Sequence, residues 1–433
     1  MRHPIAIIGD SSMSNISRRS FVTLVTASST ALAMPSIAFG AKPKVVVIGG
    51  GAGGATAAKY IAKDSRGAID VTLIEASKSY YSCFYSNLYL GNFRSYGSIG
   101  HSYDKLSSNH NINVVHEWAL SVDATEKKVN LGSGASLPYD KLVISPGIDL
   151  KYNSINGYSV EAQTQMPHAW RSGTQVKVLK DQVMNMKKGG TFVLVAPPNP
   201  YRCPPGPYER VSMIAHQFKK NNPTAKIVIL DTKKKFSKQG LFMEGWQRHY
   251  PGMIEWIDSE THGGIKKIDV AKMSFETDLD TFKADAACVI PAQKAGRIAM
   301  TSEVNDGDWC PIIGSSMQSQ ADKNIYVLGD ASIAKSMPKS AFSANSQAKV
   351  ASNHIRGSLI GSKVFEPRFS NTCWSLIAEN DGVKVGASYK AGSSTIDITS
   401  KFVSKTGEDA KIRKATYQES IGWYEGITSD MFS

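Results

Sequence analysis

Several apolar runs stand out along the chain: Lys44-Val-Val-Val-Ile48, Asp70-Val-Thr-Leu-Ile-Glu75, Gly190-Thr-Phe-Val-Leu-Val-Ala196 and Asn324-Ile-Tyr-Val-Leu328. Runs this free of polar positions suit parallel strands covered on both faces. The first feeds Gly49 to Gly54, and Ala55 to Lys63 then reads as a helix with Ala and Ile on its buried side. Nearer the C-terminus the pattern changes. Val383-Lys-Val-Gly-Ala-Ser-Tyr389 and Ser394-Thr-Ile-Asp-Ile-Thr399 alternate, which predicts half-buried strands. A helix is predicted to begin at Lys339, directly after Pro338. These elements predict an α/β fold with two dinucleotide-binding, Rossmann-like domains and a smaller α+β C-terminal domain. The first domain takes residues 41–155 and 295–360, the second 156–294, and the C-terminal domain 361–433.

Gly49, Gly51 and Gly54 satisfy the spacing G-x-G-x-x-G between a strand and a helix. Such glycines permit a tight turn and let a pyrophosphate approach the helix N-terminus, where free N–H groups and the helix dipole favour anions. Glu75, at the end of the second strand, is placed to accept hydrogen bonds from an adenosine ribose. Two further segments, Tyr139 to Gly147 and Asn324 to Ala331, resemble stretches that recur in flavoproteins of the disulfide-reductase type, which carry two dinucleotide domains. In those proteins the aspartate of the Gly329-Asp330 turn serves the ribityl and phosphate end of FAD. The three segments in this order imply FAD.

The middle domain opens with a strand at Gly190 to Ala196 but continues as Pro197-Pro-Asn-Pro-Tyr-Arg-Cys-Pro-Pro-Gly-Pro207. Prolines lack N–H groups, so this loop cannot build an amide cradle for a second pyrophosphate. The fold signal persists without nicotinamide chemistry, and NAD(P)H is not expected as the electron donor.

Residues 1–40 carry Ser17-Arg18-Arg19-Ser20-Phe21, then a mildly apolar stretch to Phe39 without acidic residues, closing on Ala38-Phe39-Gly40. The paired arginines resemble a twin-arginine export signal and imply a periplasmic destination. The stretch is too polar to predict a transmembrane helix, and none is expected in the mature chain. Overall composition is that of a globular protein, with 42% hydrophobic and 20% charged residues, which excludes disordered and collagen-like classes. Lysine and arginine outnumber acids, for a formal charge of +13; cleavage after Gly40 would remove Arg2, Arg18, Arg19 and Asp10 and leave +11. No basic motif interleaved with aromatics points to nucleic acid, so this charge suits attraction of a small anion or docking on an acidic surface.

Five cysteines remain: Cys83, Cys203, Cys288, Cys310 and Cys373. No C-x-x-C or C-x-x-C-H is present, so the chain itself carries no c-type haem, and the histidines form no metal-like cluster with the cysteines. From the residues alone, Cys83 reads rather as a packed thiol, and Cys203 with Cys373 as a structural bridge. The segments Tyr80-Tyr-Ser-Cys-Phe84, Arg202-Cys-Pro-Pro-Gly-Pro-Tyr-Glu-Arg210, Gly329-Asp-Ala-Ser332 followed by Met337-Pro-Lys-Ser-Ala-Phe-Ser-Ala-Asn-Ser-Gln347, and Asn371-Thr-Cys373 together resemble the flavoprotein subunit of flavocytochrome c sulfide dehydrogenase. The resemblance covers nearly the whole chain after residue 40. It implies FAD attached through a thioether to Cys83, a redox-active Cys203–Cys373 disulfide beside the flavin, sulfide as substrate, and a c-type cytochrome subunit holding the haem. Cys288 and Cys310 are expected to be structural.

Glu209, six residues after Cys203, is a candidate to accept a proton from hydrogen sulfide or to protonate a leaving sulfur. A salt bridge to Arg210, or a contact with the helix N-terminus, is the competing reading. Lys339, at the start of the helix after Pro338, is expected near the flavin, as the resemblance implies. Trp423 and Tyr424 lie either toward a cytochrome interface or in ordinary packing. Two rival functions share these features: a sulfide:quinone oxidoreductase, and a non-catalytic flavoprotein partner of a cytochrome. The alternating tail argues against the first, because it provides no apolar helix pair for a bilayer.

Overall fold

Val45, Val46 and Val47 of β1 (Lys44–Ile48) are fully buried, so the first strand has the two-sided cover its sequence demands. At roughly 1.5–3 kcal/mol per buried large aliphatic side chain, this run alone is a strong local anchor. The computed structural model describes residues 41–171, 173–392 and 395–433; the export-signal reading of residues 1–40 lies outside them. After β1 come α1 (Ala52–Ser65), β2 (Asp70–Ile74), a short α2 (Ser86–Leu90), β3 (Asn113–Val115) and β4 (Lys141–Ile144). The strands run parallel in the order β3-β2-β1-β4.

A second parallel sheet follows. It contains β5 (Thr191–Ala196), α3 (Gly206–Asn221), β6 (Lys226–Asp231), α4 (Gln239–His249), β7 (Ile254–Ile257) and β8 (Ala286–Val289), with strand order β7-β6-β5-β8. The chain then returns through β9 (Ile325–Val327), which pairs with β4 and completes the first sheet. In both sheets the strand order reverses beside the opening strand, so a crevice lies outside the carboxyl ends of β1 and β5. The fold is thus the α/β arrangement read from the sequence, with one nucleotide fold inserted into another.

α5 (Ala341–Ile360) packs along α1. Its first residue is Ala341, two positions later than expected, because Ser340 is the N-cap and accepts from Ser343 N. The tail forms an antiparallel sheet of β10 (Arg368–Ala378), β11 (Asp381–Ala391) and β12 (Ile396–Val403), then α6 (Ala410–Phe432). The alternating segments therefore do form strands. β10 packs against both α3 and α5, which brings the tail to the mouth of both crevices. Among the described residues no helix is long and apolar enough to cross a membrane.

Candidate active site

A cavity of about 680 Å³ opens at the end of β1. It runs from the turn Gly49–Gly53, past Glu75, to Cys83, Arg202, Asp330 and the start of α5 at Ser340 and Ala341. The glycines are sterically required. Gly49 has φ +97°, and a Cβ on Gly54 would stand 1.8 Å from the Gly49 carbonyl oxygen. Gly51 caps α1 without any side-chain hydrogen bond, and the first turn of α1 holds no acid. Amide donors at this end stay available to an anion. Glu75 lines the cavity and its carboxylate accepts from Gly50 N at 2.8 Å and Ser77 N at 2.9 Å. The acid thereby braces the turn while lining the cavity.

Asp330 follows Gly329, itself at φ +72°. One carboxylate oxygen, Oδ1, is buried without a partner, and Oδ2 lies 3.9 Å from Arg202 Nη1. Burial pushes this carboxyl up, while Arg202 and Lys339 pull it back. An orphaned buried acceptor facing a cavity suits the hydroxyl groups of a ribityl chain. Lys339 does not reach the cavity. Its ammonium donates to Asp330 O at 2.6 Å and Ser332 O at 2.9 Å and stands 3.6 Å from the centroid of the Trp309 ring. It sits before the cap of α5, so its side chain turns away; the cavity instead receives Ser340, Ala341 and Ala344. Lys339 thus holds the Asp330 turn in shape.

Cys83 lines the cavity, in the turn before α2, where Ser86 Oγ donates to its carbonyl at 2.6 Å. Cys203 stands in the proline-rich loop with φ +57°; its N–H donates to Lys339 O at 2.8 Å, and its carbonyl accepts from Gly206 N. Cys373 lies on β10, where Asn371 Nδ2 donates to its Sγ at 3.4 Å. Ser340 Oγ donates to Asn371 Oδ1 at 2.5 Å and ties this amide to the start of α5. The two sulfurs share one environment: Cys373 raises the cost of charging Cys203, and Glu209 and Lys238 act on both. Burial pushes both thiols up.

Glu209 occupies the first turn of α3. Its Oε2 accepts from Asn87 Nδ2 at 2.8 Å and its Oε1 from Leu376 N at 2.9 Å. Burial pushes its carboxyl up, against these hydrogen bonds and the charges of Lys238 and Arg210. The salt bridge to Arg210 is not formed. Arg210 points the other way, donating to Asn87 Oδ1, His168 O, Ala169 O and Cys288 Sγ. Cys288 is therefore a core acceptor for a buried guanidinium, and Cys310 is a fully buried thiol pushed up to about 12 by burial.

Trp423 and Tyr424 sit beside the Cys83 segment. Tyr424 stacks on Tyr85 at 4.2 Å, and Trp423 lies 5.7 Å from Phe84 and 5.3 Å from Trp374. Packing accounts for both. One residue of the site carries no sequence signal of its own, Lys238; Arg202 and Asn371 stand in the segments around Cys203 and Cys373 without a role assigned to them there. Asn87 follows the segment around Cys83 closely in sequence, but its bond to Glu209 spans 122 positions.

The second crevice is closed. The loop Pro197–Pro205 enters α3 through Pro205 as N-cap, with Pro207 in the first turn. Asp231, at the ribose-binding position at the end of β6, accepts from Tyr208 Oη at 2.5 Å, Trp256 Nε1 at 2.9 Å and Lys233 Nζ at 2.7 Å. Its acceptor capacity is taken up inside the protein.

The fold and the glycine-lined cavity define a flavin-binding oxidoreductase, and residues 43–188 match the family of pyridine nucleotide-disulphide oxidoreductases. Residues 176–291 match the central region of the sulfide dehydrogenase [flavocytochrome c] flavoprotein chain, and residues 365–432 the flavin-binding region of flavocytochrome c sulphide dehydrogenase. Two of the three matched regions are thus those of flavocytochrome c sulfide dehydrogenase flavoprotein chains, the resemblance read from the sequence. Its fold is similar to that of the sulfide:quinone oxidoreductase from Aquifex aeolicus (17% identity, 90% of this chain and 92% of that one, TM-score 0.68). It is also similar to an NAD-dependent persulfide reductase from A. fulgidus (18%, 88% and 76%, TM-score 0.61). A ferredoxin reductase from Rhodopseudomonas palustris shares the fold as well (16%, 85% and 89%, TM-score 0.63).

Proposed function

We propose that this chain is the sulfide-oxidising flavoprotein subunit of a periplasmic complex, exported by the twin-arginine route, which passes electrons to a c-type cytochrome subunit bearing the haem. The observation that carries this reading is the meeting of Cys203, Cys373 and the buried Glu209 beside the flavin cavity, in a chain whose second nucleotide crevice is filled by its own residues. Gly49, Gly51 and Gly54 would leave room for the pyrophosphate of FAD, Glu75 would take the ribose, Asp330 the ribityl chain, and Cys83 the covalent thioether. FAD, when bound, supplies a two-electron acceptor able to release electrons singly.

The chain's own chemistry is thiol–disulfide exchange. In the oxidised protein HS⁻ attacks one sulfur of the Cys203–Cys373 bridge; the S–S bond breaks, one cysteine becomes a persulfide and the other a thiolate. Glu209, pushed up by burial, takes the proton when the attacking species is neutral hydrogen sulfide, and returns it to a leaving sulfur. A second sulfide releases sulfane sulfur or polysulfide.

The test is direct. After acid denaturation the yellow flavin should stay with the peptide containing Cys83, and sulfide with a c-type cytochrome should give cytochrome reduction. Flavin released by acid removes the thioether. Reduction of a quinone in place of the cytochrome would make the protein a quinone reductase, and full sulfide oxidation in both Cys203→Ser and Cys373→Ser would remove the dithiol from the mechanism.

A further inference from the structure

Cys203 and Cys373 are equivalent in formula and different in surroundings. Around Cys373 the protein has gathered donors. Asn371 points its amide N–H group at Sγ, and Ser340 fixes that orientation by donating to the amide oxygen. Lys238, the residue before α4, adopts φ +61° and sends its ammonium to Cys373 O at 3.0 Å and Ser375 Oγ at 2.8 Å. Among the described residues this ammonium has no carboxylate hydrogen-bond partner, so its charge answers to the acids around it at longer range. Cys203 has no such company. Its sulfur packs close to Gly206, and no hydrogen bond reaches it among the described residues.

We propose that Lys238 is a positioning residue that stabilises negative charge on Cys373, so that sulfide attacks Cys203 and Cys373 leaves as the thiolate. This rests on the sulfide chemistry proposed above. In the step, the Cys203–Cys373 bond breaks, a new S–S bond joins the incoming sulfur to Cys203, and the bonding pair departs on Cys373 Sγ. The charge that arrives on HS⁻ ends beside Lys238, so the step needs no further reactant.

The electrostatic surroundings agree with the geometry. Cys373 is pushed up by burial, but Lys238 is the largest influence opposing this, followed by the hydrogen bonds from Asn371 and Ser340. For Cys203, Cys373, Glu209 and Cys83 all add to burial, and Lys238 comes last in opposition. Glu209 on α3 and Lys238 before α4 face both sulfurs, and Tyr389 on β11 faces Cys373. Cys83, Tyr201 and Arg202 stand on the Cys203 side. Arg202 answers first to Cys83 and Asp330, ahead of Cys203, so Lys238 is the cation that acts on Cys373. Burial lowers Lys238 itself to about 8. Its support for the thiolate is complete well below that pH and fades above it.

A bland alternative is that Lys238 merely ties α4 to β10. The two roles separate on the pH profile of the reduced protein. After reduction with dithiothreitol, iodoacetamide labelling between about pH 6 and 9, followed by peptide mass analysis, should modify Cys373 several-fold faster than Cys203 at neutral pH, because the thiolate is the reacting form. In Lys238→Gln the Cys373 profile should move to higher pH, with labelling about tenfold slower at neutral pH. Lys238→Arg should restore it. Equal labelling of both cysteines, or an unshifted Cys373 profile in Lys238→Gln with its flavin retained, overturns the proposal. A second arm adds substoichiometric sulfide to the oxidised protein and quenches with iodoacetamide; the extra sulfur should map to Cys203. Extra sulfur on Cys373 overturns the polarity. If neither cysteine gains sulfur, the sulfide function fails, and the labelling profiles still decide the role of Lys238.

Discussion

Replacing Glu209 by Gln tests the site where its charge balance is most exposed. In the wild type both carboxylate oxygens accept N–H bonds, from Asn87 Nδ2 at 2.8 Å and Leu376 N at 2.9 Å. A glutamine offers one oxygen and one amide nitrogen, so one of those donors would face another donor. Leaving one buried donor unmatched costs about 1–3 kcal/mol. Asn87 cannot readily turn its oxygen inward to compensate, because that oxygen accepts from Arg210 Nε at 3.1 Å. Glu209→Gln should therefore fold with a melting temperature lower by a few degrees and retain its flavin. The chemical effect should be larger. Loss of a positioned general acid or base costs about 10²–10⁴-fold in rate, so sulfide-driven bleaching of the flavin in anaerobic stopped flow should slow within that range at neutral pH. The wild-type stability should also depend on pH in a particular direction. Burial raises the Glu209 carboxyl in the folded state, so its contribution is fully present below the unfolded value and is lost as pH rises through the folded one. That part of the pH dependence should vanish in Glu209→Gln. Bleaching at close to the wild-type rate, with an unchanged stability profile, would refute the proton role assigned to Glu209.

Gly54→Ala places a Cβ where the Gly49 carbonyl oxygen already stands, 1.8 Å away; the turn must open, and the purified protein should show a sharply reduced ratio of flavin to protein absorbance. Cys83→Ser should keep the flavin bound at neutral pH but release it into acid supernatant, which absorbance of the supernatant measures. Arg413→Met tests the tail: Arg413 Nε donates to the buried Asp381 at 2.6 Å, with His249 Nε2 at 2.6 Å on the other oxygen. Removing the guanidinium from this buried pair should cost about 3–5 kcal/mol, seen as a lowered unfolding midpoint. Burial works against charge on Asp381, yet the hydrogen bonds from His249 and Arg413 prevail and hold its carboxyl below the usual range. Wild-type stability from this group is therefore present above the ordinary carboxyl value and is lost as pH falls through the folded one; Asp381→Asn should flatten that acid limb.

The elements legible in the sequence are those whose causes are local. An apolar run, a glycine turn and a terminal acid all lie between Lys44 and Glu75, and their physics needs nothing from elsewhere in the chain. The unread parts depend on distant neighbours. Lys238 closes a basic stretch that begins at Lys233 and looks like a solvated charge run, yet its ammonium ends 135 positions away on Cys373. Glu209 and Arg210 look like an ion pair because they are adjacent. Adjacent positions on a helix point about 100° apart, so α3 sends the acid toward the thiols and the guanidinium toward His168 and Cys288. The start of α5 was misplaced for a related reason: it is decided by Ser340, whose hydroxyl caps the helix and also holds Asn371.

The same reasoning explains why the protein contains one fold twice with opposite uses. Both sheets place an acid at the end of their second strand, Glu75 and Asp231. Glu75 borders an open cavity, while Asp231 is consumed by Tyr208, Trp256 and Lys233. A filled second crevice converts the middle domain from a nucleotide site into a scaffold. Its α3 carries Glu209, the loop before it carries Cys203, and the residue before α4 is Lys238. Three groups around the two thiols are thus held on this second nucleotide fold. If NADH bleached the flavin, this division of labour between the two folds would be wrong.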